Sequence, residues 1–132
     1  ELPDIRFRRC PDPDGHIGSN LGIIFPSAEA AQTFNRALNA ENITATVLYG
    51  GKPVYMNPQL FYQRTAERDN FPFNYPFKNP VVYTENMCPR AVDLIPRTTF
   101  IPISPTLTDR DEADIIEGVI KVYKALQQTV SP

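Results

Sequence analysis

The most regular alternation of apolar and polar residues lies in the last quarter of the chain. It predicts a long closing helix with one buried face, formed by Ile115, Ile116, Val119, Ile120, Tyr123 and Leu126. Thr108 is the expected N-cap, and Asp111 three residues later can complete a capping box. Acidic residues in the first turns, with Lys121 and Lys124 late in the helix, suit the two ends of the helix dipole.

Earlier apolar runs predict a sheet and a second helix. Strands are expected at 5–9, 20–25, 43–48 and 98–103, with Pro102 pushing the last one toward an edge or a strand end. Ser27 can cap a helix that runs to Ala40, and Asn39 or Asn42 can take the left-handed conformation at its end. The buried stripe of this helix is expected to be Ala30, Ala31, Phe34, Ala37 and Leu38. The prediction is a single α+β domain over residues 1–132, with a small, mainly antiparallel sheet of three or four strands and helices mostly on one face.

The middle of the chain is rich in aromatic residues and poor in periodicity. Only 58–66 is predicted to be helical, and a long irregular stretch such as 67–87 is uncommon in a compact domain unless it covers something. Its aromatic side chains pack on the domain itself or face a partner, and the pattern leaves both alternatives open. Nine of the fourteen aromatic residues define this aromatic segment (residues 49–83): Tyr49, Tyr55, Phe61, Tyr62, Phe71, Phe73, Tyr75, Phe77 and Tyr83.

Composition narrows the classes of partner. The net charge of −2 comes without a cluster of basic residues, which argues against nucleic acid, and no apolar run approaches the length that crosses a membrane. The start carries no signal-peptide pattern, and Cys10 and Cys88 are expected to be free thiols in a cytoplasmic protein. Because the chain opens on Glu1 without an initiator methionine, we expect a processed protein or a part of a longer one.

The residues offer no independent catalytic or metal site. Asp12, Asp14 and His16 lie in a Pro-Asp-Gly-rich loop whose spacing fits neither calcium nor zinc, so a turn is the favoured interpretation. A single histidine provides no Ser-His-acid set, and Tyr49-Gly-Gly-Lys52 lacks the glycine spacing of a phosphate loop. No catalytic, cofactor-binding or metal-binding residue is therefore predicted.

Several motifs in sequence order resemble the C-terminal domain of the DegT/DnrJ/StrS family of pyridoxal-phosphate (PLP) sugar aminotransferases. They are Asp12 to Gly18, Leu21 to Phe25, Ser27 to Ala40, Asn42-Ile43, a strand from Thr44 to Tyr49, Cys88-Pro-Arg-Ala91, Arg97-Thr-Thr-Phe-Ile-Pro-Ile103 and Pro105-Thr-Leu-Thr108. Nearly the whole chain is covered. Asn42 stands where the family pattern has glycine, and His16 where it has an acid, but neither departure changes the expected fold.

The resemblance implies that the chain is one domain of a two-domain enzyme. Such aminotransferases move an amino group from a donor such as glutamate to a keto-sugar or cyclitol, usually as homodimers. Their Schiff-base lysine and phosphate-binding residues belong to a large N-terminal domain, and nothing in this chain matches that domain. We therefore expect a small domain that binds no cofactor alone and is inactive alone, while the intact enzyme uses PLP.

The same resemblance points to a wall of the substrate site. Pro53-Val-Tyr-Met-Asn-Pro58 is similar to a family segment near the active-site mouth, so Tyr55 and Asn57 are candidate substrate-binding residues, and Lys52 can attract a carboxylate or phosphate. The alternative is that Tyr55 is a packed loop residue. Arg97 can bind a carboxylate too, although an arginine at that place is more often solvated or ion-paired.

Two other interpretations remain open. The chain can be a free-standing, non-catalytic α+β module that binds a small molecule or protein through the aromatic segment. It can also belong to a degenerate or split aminotransferase that needs a separately encoded partner.

Overall fold

A three-stranded antiparallel sheet forms the centre of the fold. The computed structural model describes residues 5–130, with strands β1 (Arg6–Phe7), β2 (Asn20–Ile24) and β3 (Thr98–Pro102) in the order β1–β2–β3. The strands predicted at 20–25 and 98–103 are confirmed, and β3 ends at Pro102.

The first predicted strand is shorter and more exposed than expected. It contains two residues instead of 5–9, although Arg8 still donates its N–H to the carbonyl of Gly22 at 2.8 Å. Phe7 is 55% exposed.

The prediction of a strand at 43–48 is wrong. Only Thr46 pairs, exchanging both backbone hydrogen bonds with Phe100 at 3.0 and 2.7 Å. The chain then turns at 48–51, where Tyr49 has a φ of +52°, so the ladder cannot continue. The alternation itself is correct, since Ala45 is buried between exposed threonines.

Helix α1 (Ala28–Ala40) begins where the sequence predicts. The Ser27 hydroxyl accepts a hydrogen bond from the Ala30 N–H at 3.2 Å, and Asn42 takes the left-handed conformation after the helix, with a φ of +62°. Asn39 instead donates to the Ala45 carbonyl at 2.8 Å, which ties the following segment to the helix. The buried face contains Asn35 as well as the predicted Ala31, Phe34 and Leu38, while Ala30 and Ala37 are half-buried.

Helix α4 (Asp109–Val130) has the predicted cap. The Thr108 N–H donates to the Asp111 carboxylate at 2.8 Å, and the Asp111 N–H donates to the Thr108 hydroxyl at 3.3 Å. This is the reciprocal pattern of a capping box with aspartate in place of glutamate.

Two details of the α4 prediction are wrong. Ile116 is 60% exposed, and Val122 is buried instead, because the stripe that meets the core follows 115, 119, 122, 123 and 126. The helix also extends beyond Lys121 and Lys124, so its last turn carries no basic residue. Lys121 pairs with Glu41 at 2.6 Å rather than acting on the helix dipole.

The two long helices pack together on one face of the sheet. Ile23 and Ile101 lie on the helix side of β2 and β3, and the Phe25 ring lies 4.8 Å from the ring of Phe34 on α1. The predicted α+β class with an antiparallel sheet is confirmed. The core cluster comprises Ile23, Phe25, Ala31, Phe34, Leu38, Ala45, Ile101, Val119, Val122 and Tyr123.

The middle of the chain contains two short helices, α2 (Pro58–Phe61) and α3 (Pro89–Leu94). The helix predicted at 58–66 ends early, because Gln63 adopts a φ of +52° and the Arg64 N–H bonds back to the Gln59 carbonyl at 2.7 Å. This is a Schellman ending without the glycine that usually announces it. Residues 62–88 contain no helix or strand, as the missing periodicity indicated.

Candidate functional site

The loop that follows the Thr46 bridge is held by an unusual run of left-handed residues. Tyr49, Gly50 and Gly51 have φ values of +52°, +62° and +82°. For tyrosine this conformation is uncommon and costs free energy, whereas glycine adopts it without penalty. A Cβ atom on Gly51 would lie 3.3 Å from the Cβ of Pro96, so the turn sits directly against the residue that precedes Arg97 and β3.

This turn and the next one enclose a shallow cavity of about 330 Å³. Lys52 and Asn57 both face it, so the structure brings together two of the three predicted substrate-binding residues. Tyr49 also lines it, and sequence reasoning missed that role because a left-handed tyrosine is not expected from the sequence. The lining residues are Tyr49, Lys52, Pro53, Val54, Met56, Asn57 and Pro58.

Asn57 has one end of its amide engaged and the other end available. Its Oδ1 accepts the N–H of Gln59 at 3.1 Å, which caps α2. Within the described residues, Nδ2 has no hydrogen-bond partner, so it can donate to a ligand in the cavity. Lys52 is exposed and forms neither of the two ion pairs of the described chain.

Tyr55 lies outside this cavity. Its hydroxyl donates to the backbone carbonyl of Glu85 at 2.7 Å, which ties the loop to the chain just after the aromatic segment. The contact matches the alternative that Tyr55 is a packed loop residue, and the side chain is half-buried. Because its hydroxyl hydrogen is already used, the oxygen can only accept a hydrogen bond from a ligand. Substrate binding by Tyr55, Asn57 and Lys52 stays a prediction.

The four lysines of the chain do not fit the cofactor site of a PLP enzyme. Such a site needs a lysine in an enclosed pocket with a cradle for the phosphate. Lys52, Lys78, Lys121 and Lys124 are all exposed, and the cavity beside Lys52 has no carboxylate in its lining. Within residues 5–130, none of the lysines is therefore enclosed in the way that such a site requires.

The aromatic segment leaves much apolar surface uncovered. Rings touch one another along it, with centroid distances of 4.8 Å for Tyr75–Phe77 and 6.5 Å for both Phe71–Tyr75 and Phe73–Tyr83. This internal packing buries only part of the rings, and the alternative that the exposed part faces a partner stays a prediction. The exposed large apolar residues of the region are Leu48, Tyr49, Val54, Tyr62, Phe71, Tyr75, Phe77, Val81, Val82 and Met87.

A second, larger cavity of about 530 Å³ opens between the end of β2, the first turns of α1 and the late turns of α4. Its floor is apolar, with Ile5, Ile24, Phe25 and Leu126 among the lining residues. At its rim Glu29 has a pKa below the usual range, because its carboxylate accepts hydrogen bonds from its own backbone N–H and from Ser27. The periodicity of the sequence gives no sign of this groove, since it arises where the two helices leave part of the sheet uncovered.

Arg97 is engaged in structure rather than open to a ligand. Its guanidinium donates to both carboxylate oxygens of Asp93, at 3.1 and 2.7 Å, and to the Phe25 carbonyl at 3.1 Å. The hydrogen bond from Arg97 lowers the pKa of Asp93, and the same bond raises the pKa of Arg97. The ion-paired interpretation is the correct one.

The loop around His16 forms the predicted turn. Asp12 accepts the N–H of Gly15 at 3.1 Å, and His16 Nδ1 accepts the N–H of Gly18 at 3.0 Å. No group of three or more potential metal ligands occurs within residues 5–130. Cys10 and Cys88 are exposed free thiols, as expected.

No protein-family model matches the sequence, and no curated protein matches it at a significant level. In the described part of the chain, none of the helices combines the length and apolar character needed to cross a bilayer.

Proposed function

We propose that the chain is the C-terminal small domain of a PLP-dependent aminotransferase of the DegT/DnrJ/StrS type. The intact enzyme would transfer an amino group from a donor such as glutamate to a keto-sugar or cyclitol in the cytoplasm, as a homodimer. PLP would be held by a large N-terminal domain, and the 132 residues alone would be inactive. Neither nucleic acid nor a membrane has a role in this proposal.

The cavity beside Lys52 carries the proposal. It combines a cationic group and a free amide donor on an exposed loop, and its lining contains no carboxylate, histidine or cysteine. Such a surface can hold and orient an anionic or hydroxyl-rich substrate. These are the properties expected of a wall of an active site whose reacting groups lie on another domain.

The placement of the resembling motifs also supports the proposal. Cys88-Pro caps α3, Arg97–Ile103 covers β3, and Pro105–Thr108 leads into the capping box of α4. The motifs therefore lie on consecutive elements of one α+β unit. In the bound enzyme, Lys52 Nζ would pair with the donor carboxylate or a nucleotide phosphate, and Asn57 Nδ2 would donate to a sugar hydroxyl.

The test uses the protein translated from the complete reading frame that contains these residues. We expect PLP-dependent amino transfer from glutamate to a keto-sugar. Lys52→Ala should raise KM about tenfold or more with little change in kcat, because it removes binding that is equal in the ground and transition states. Lys124→Ala, an exposed lysine on α4, is the matched control and should behave as the parent. An absence of amino transfer would overturn the proposal, and equal KM values for the two variants would remove Lys52 from the site.

The exposed aromatic segment favours a second candidate, a non-catalytic binding module. That candidate predicts a reading frame without a lysine-bearing PLP domain. Activity that appears only after mixing with a separately encoded subunit would instead identify a split aminotransferase.

A further inference from the structure

The free edge of the sheet carries backbone groups without a partner. In β1, Phe7 lies opposite Ile23, and the next residue, Arg8, donates its N–H to the Gly22 carbonyl at 2.8 Å. Hydrogen-bonded and non-hydrogen-bonded pairs alternate in an antiparallel ladder, so the N–H and C=O of Phe7 point away from β2. Within residues 5–130, neither group has a hydrogen-bond partner. The edge can therefore accept a further strand.

The side of this edge that faces the helices is apolar. Ile5 and Phe7 lie on the same face as Ile23, because side chains alternate along a strand. Ile5 lines the cavity of about 530 Å³ together with Leu126, and Phe7 is 55% exposed. A strand added beside β1 would place every second side chain next to these residues. Apolar side chains at those positions would cover Phe7 and extend the apolar floor of the cavity.

The opposite side of the edge is basic. Arg6 and Arg8 lie on the face away from the helices, where the Arg8 guanidinium is 5.9 Å from the centre of the Phe100 ring and 3.4 Å from His16 Nε2. Both arginines are exposed, and neither belongs to an ion pair within the described chain. Acidic side chains on an added strand would meet them across the strand pair, where opposite charges stabilise a sheet.

These charges select the kind of strand that can pair. Like charges directly opposite each other destabilise a strand pair, so a second copy of β1 is a poor occupant and an acidic strand is a good one. Glu29 is the only charged residue among those that line the cavity, so the helix side of the edge disfavours acids. The acidic and apolar residues of a fitting partner must therefore alternate.

We propose that the free edge of β1 binds an extended acidic segment of another protein, which joins the sheet as a fourth strand. Its apolar side chains cover Phe7 beside the cavity, and its alternating carboxylates pair with Arg6 and Arg8. Hydrogen bonds to the N–H and C=O of Phe7 hold the segment along the edge. This inference does not depend on the aminotransferase proposal, because it concerns the sheet edge alone.

Titration with synthetic peptides tests the chemistry of the partner. The probe is a capped, fluorescently labelled peptide of about seven residues in which glutamate and valine alternate, roughly 24 Å long when extended. Fluorescence anisotropy should show saturable binding with a dissociation constant below about 1 mM. Binding should weaken about tenfold or more when lysine replaces glutamate, when glycine replaces valine, or when the backbone amides are N-methylated.

Three results of the titration would overturn the proposal. They are an absence of binding at about 1 mM probe, a control peptide that binds as tightly as the probe, and a short single-stranded DNA that binds more tightly than the probe. The last result would assign the basic edge to nucleic acid instead.

Hydrogen exchange and substitution locate the contact on the chain. In NMR spectra the Phe7 amide should exchange at least about tenfold more slowly when the chain is saturated with the probe. Arg6→Glu should raise the dissociation constant about fivefold or more, because it replaces an attraction with a repulsion. Arg68→Glu is the matched control, since it changes the net charge equally at an exposed arginine outside the sheet and should leave the dissociation constant nearly unchanged.

Circular dichroism establishes that both variants are folded. Unchanged exchange at the Phe7 amide, or equal effects of Arg6→Glu and Arg68→Glu on the dissociation constant, would show that the peptide binds elsewhere and would refute the proposal.

Discussion

The turn at Tyr49–Gly51 gives a sharp test of how the loop beside the cavity is held. An alanine in the left-handed region destabilises the folded chain by about 1–2 kcal/mol. Replacing glycine also lowers the entropy of the unfolded chain, which offsets about 0.4–1 kcal/mol of that cost. Gly50→Ala should therefore destabilise the chain by about 0.5–1 kcal/mol. No steric cost is added to this, because the new Cβ would meet open space. Gly51→Ala carries the same backbone cost, and its Cβ would also press on Pro96 at 3.3 and 3.4 Å.

The contact with Pro96 decides the size of the difference. Small overpacking in a tight site costs about 1–3 kcal/mol, and here the lower end applies because a shift of a few tenths of an ångström relieves it. We expect Gly51→Ala to lose about 1.5–2.5 kcal/mol in total, which lowers Tm by roughly 5–12 °C for a chain of this size.

Urea unfolding of the chain and of both variants measures this difference. Gly50→Ala is the matched control, since it has the same substitution and a similar φ without the Pro96 contact. If the two variants unfold at the same urea concentration, the close approach of Gly51 to Pro96 does not hold the loop, and the reasoning is refuted.

Three further predictions concern the core and the cap. Phe34→Ala should cost about 3–5 kcal/mol in urea unfolding, because Phe34 is fully buried beside Phe25; a loss below about 1 kcal/mol would contradict this core. Val119→Ser should destabilise by more than 1 kcal/mol and Ile116→Ser by less than about 0.5 kcal/mol, and equal effects would contradict the assigned buried stripe. Hydrogen bonds from the Thr108 hydroxyl and then its backbone N–H lower the pKa of Asp111, so its contribution to stability is complete above the ordinary aspartate pKa and is lost as the pH falls through the folded value. The stability gap between the parent and Asp111→Asn should thus shrink from pH 7 toward about pH 2, and a constant gap would contradict the cap.

Local chemistry made much of the fold predictable. Ser27 and Thr108 cap their helices as expected, because side-chain capping depends on residues three positions apart. The length of β1 and the loss of pairing after Thr46 depend on neighbours distant in sequence, and no local pattern reports them. The early end of α2 was missed because Gln63, rather than glycine, takes the left-handed position.

The candidate site was predictable only in part. Lys52 and Asn57 were found through a resemblance, and they do share a cavity. Tyr49 was missed because its position on the cavity depends on its left-handed backbone, which a tyrosine rarely adopts. Tyr55 points to Glu85, thirty residues away, and that contact is decided by the irregular segment between them.

The central claim is that these residues form the part of an aminotransferase that binds substrate without holding the cofactor. The most direct measurement is borohydride reduction of the intact gene product with PLP, followed by mass spectrometry of its peptides. The account predicts one modified lysine that lies outside these 132 residues. Modification at Lys52, Lys78, Lys121 or Lys124, or no stoichiometric modification at all, would contradict it.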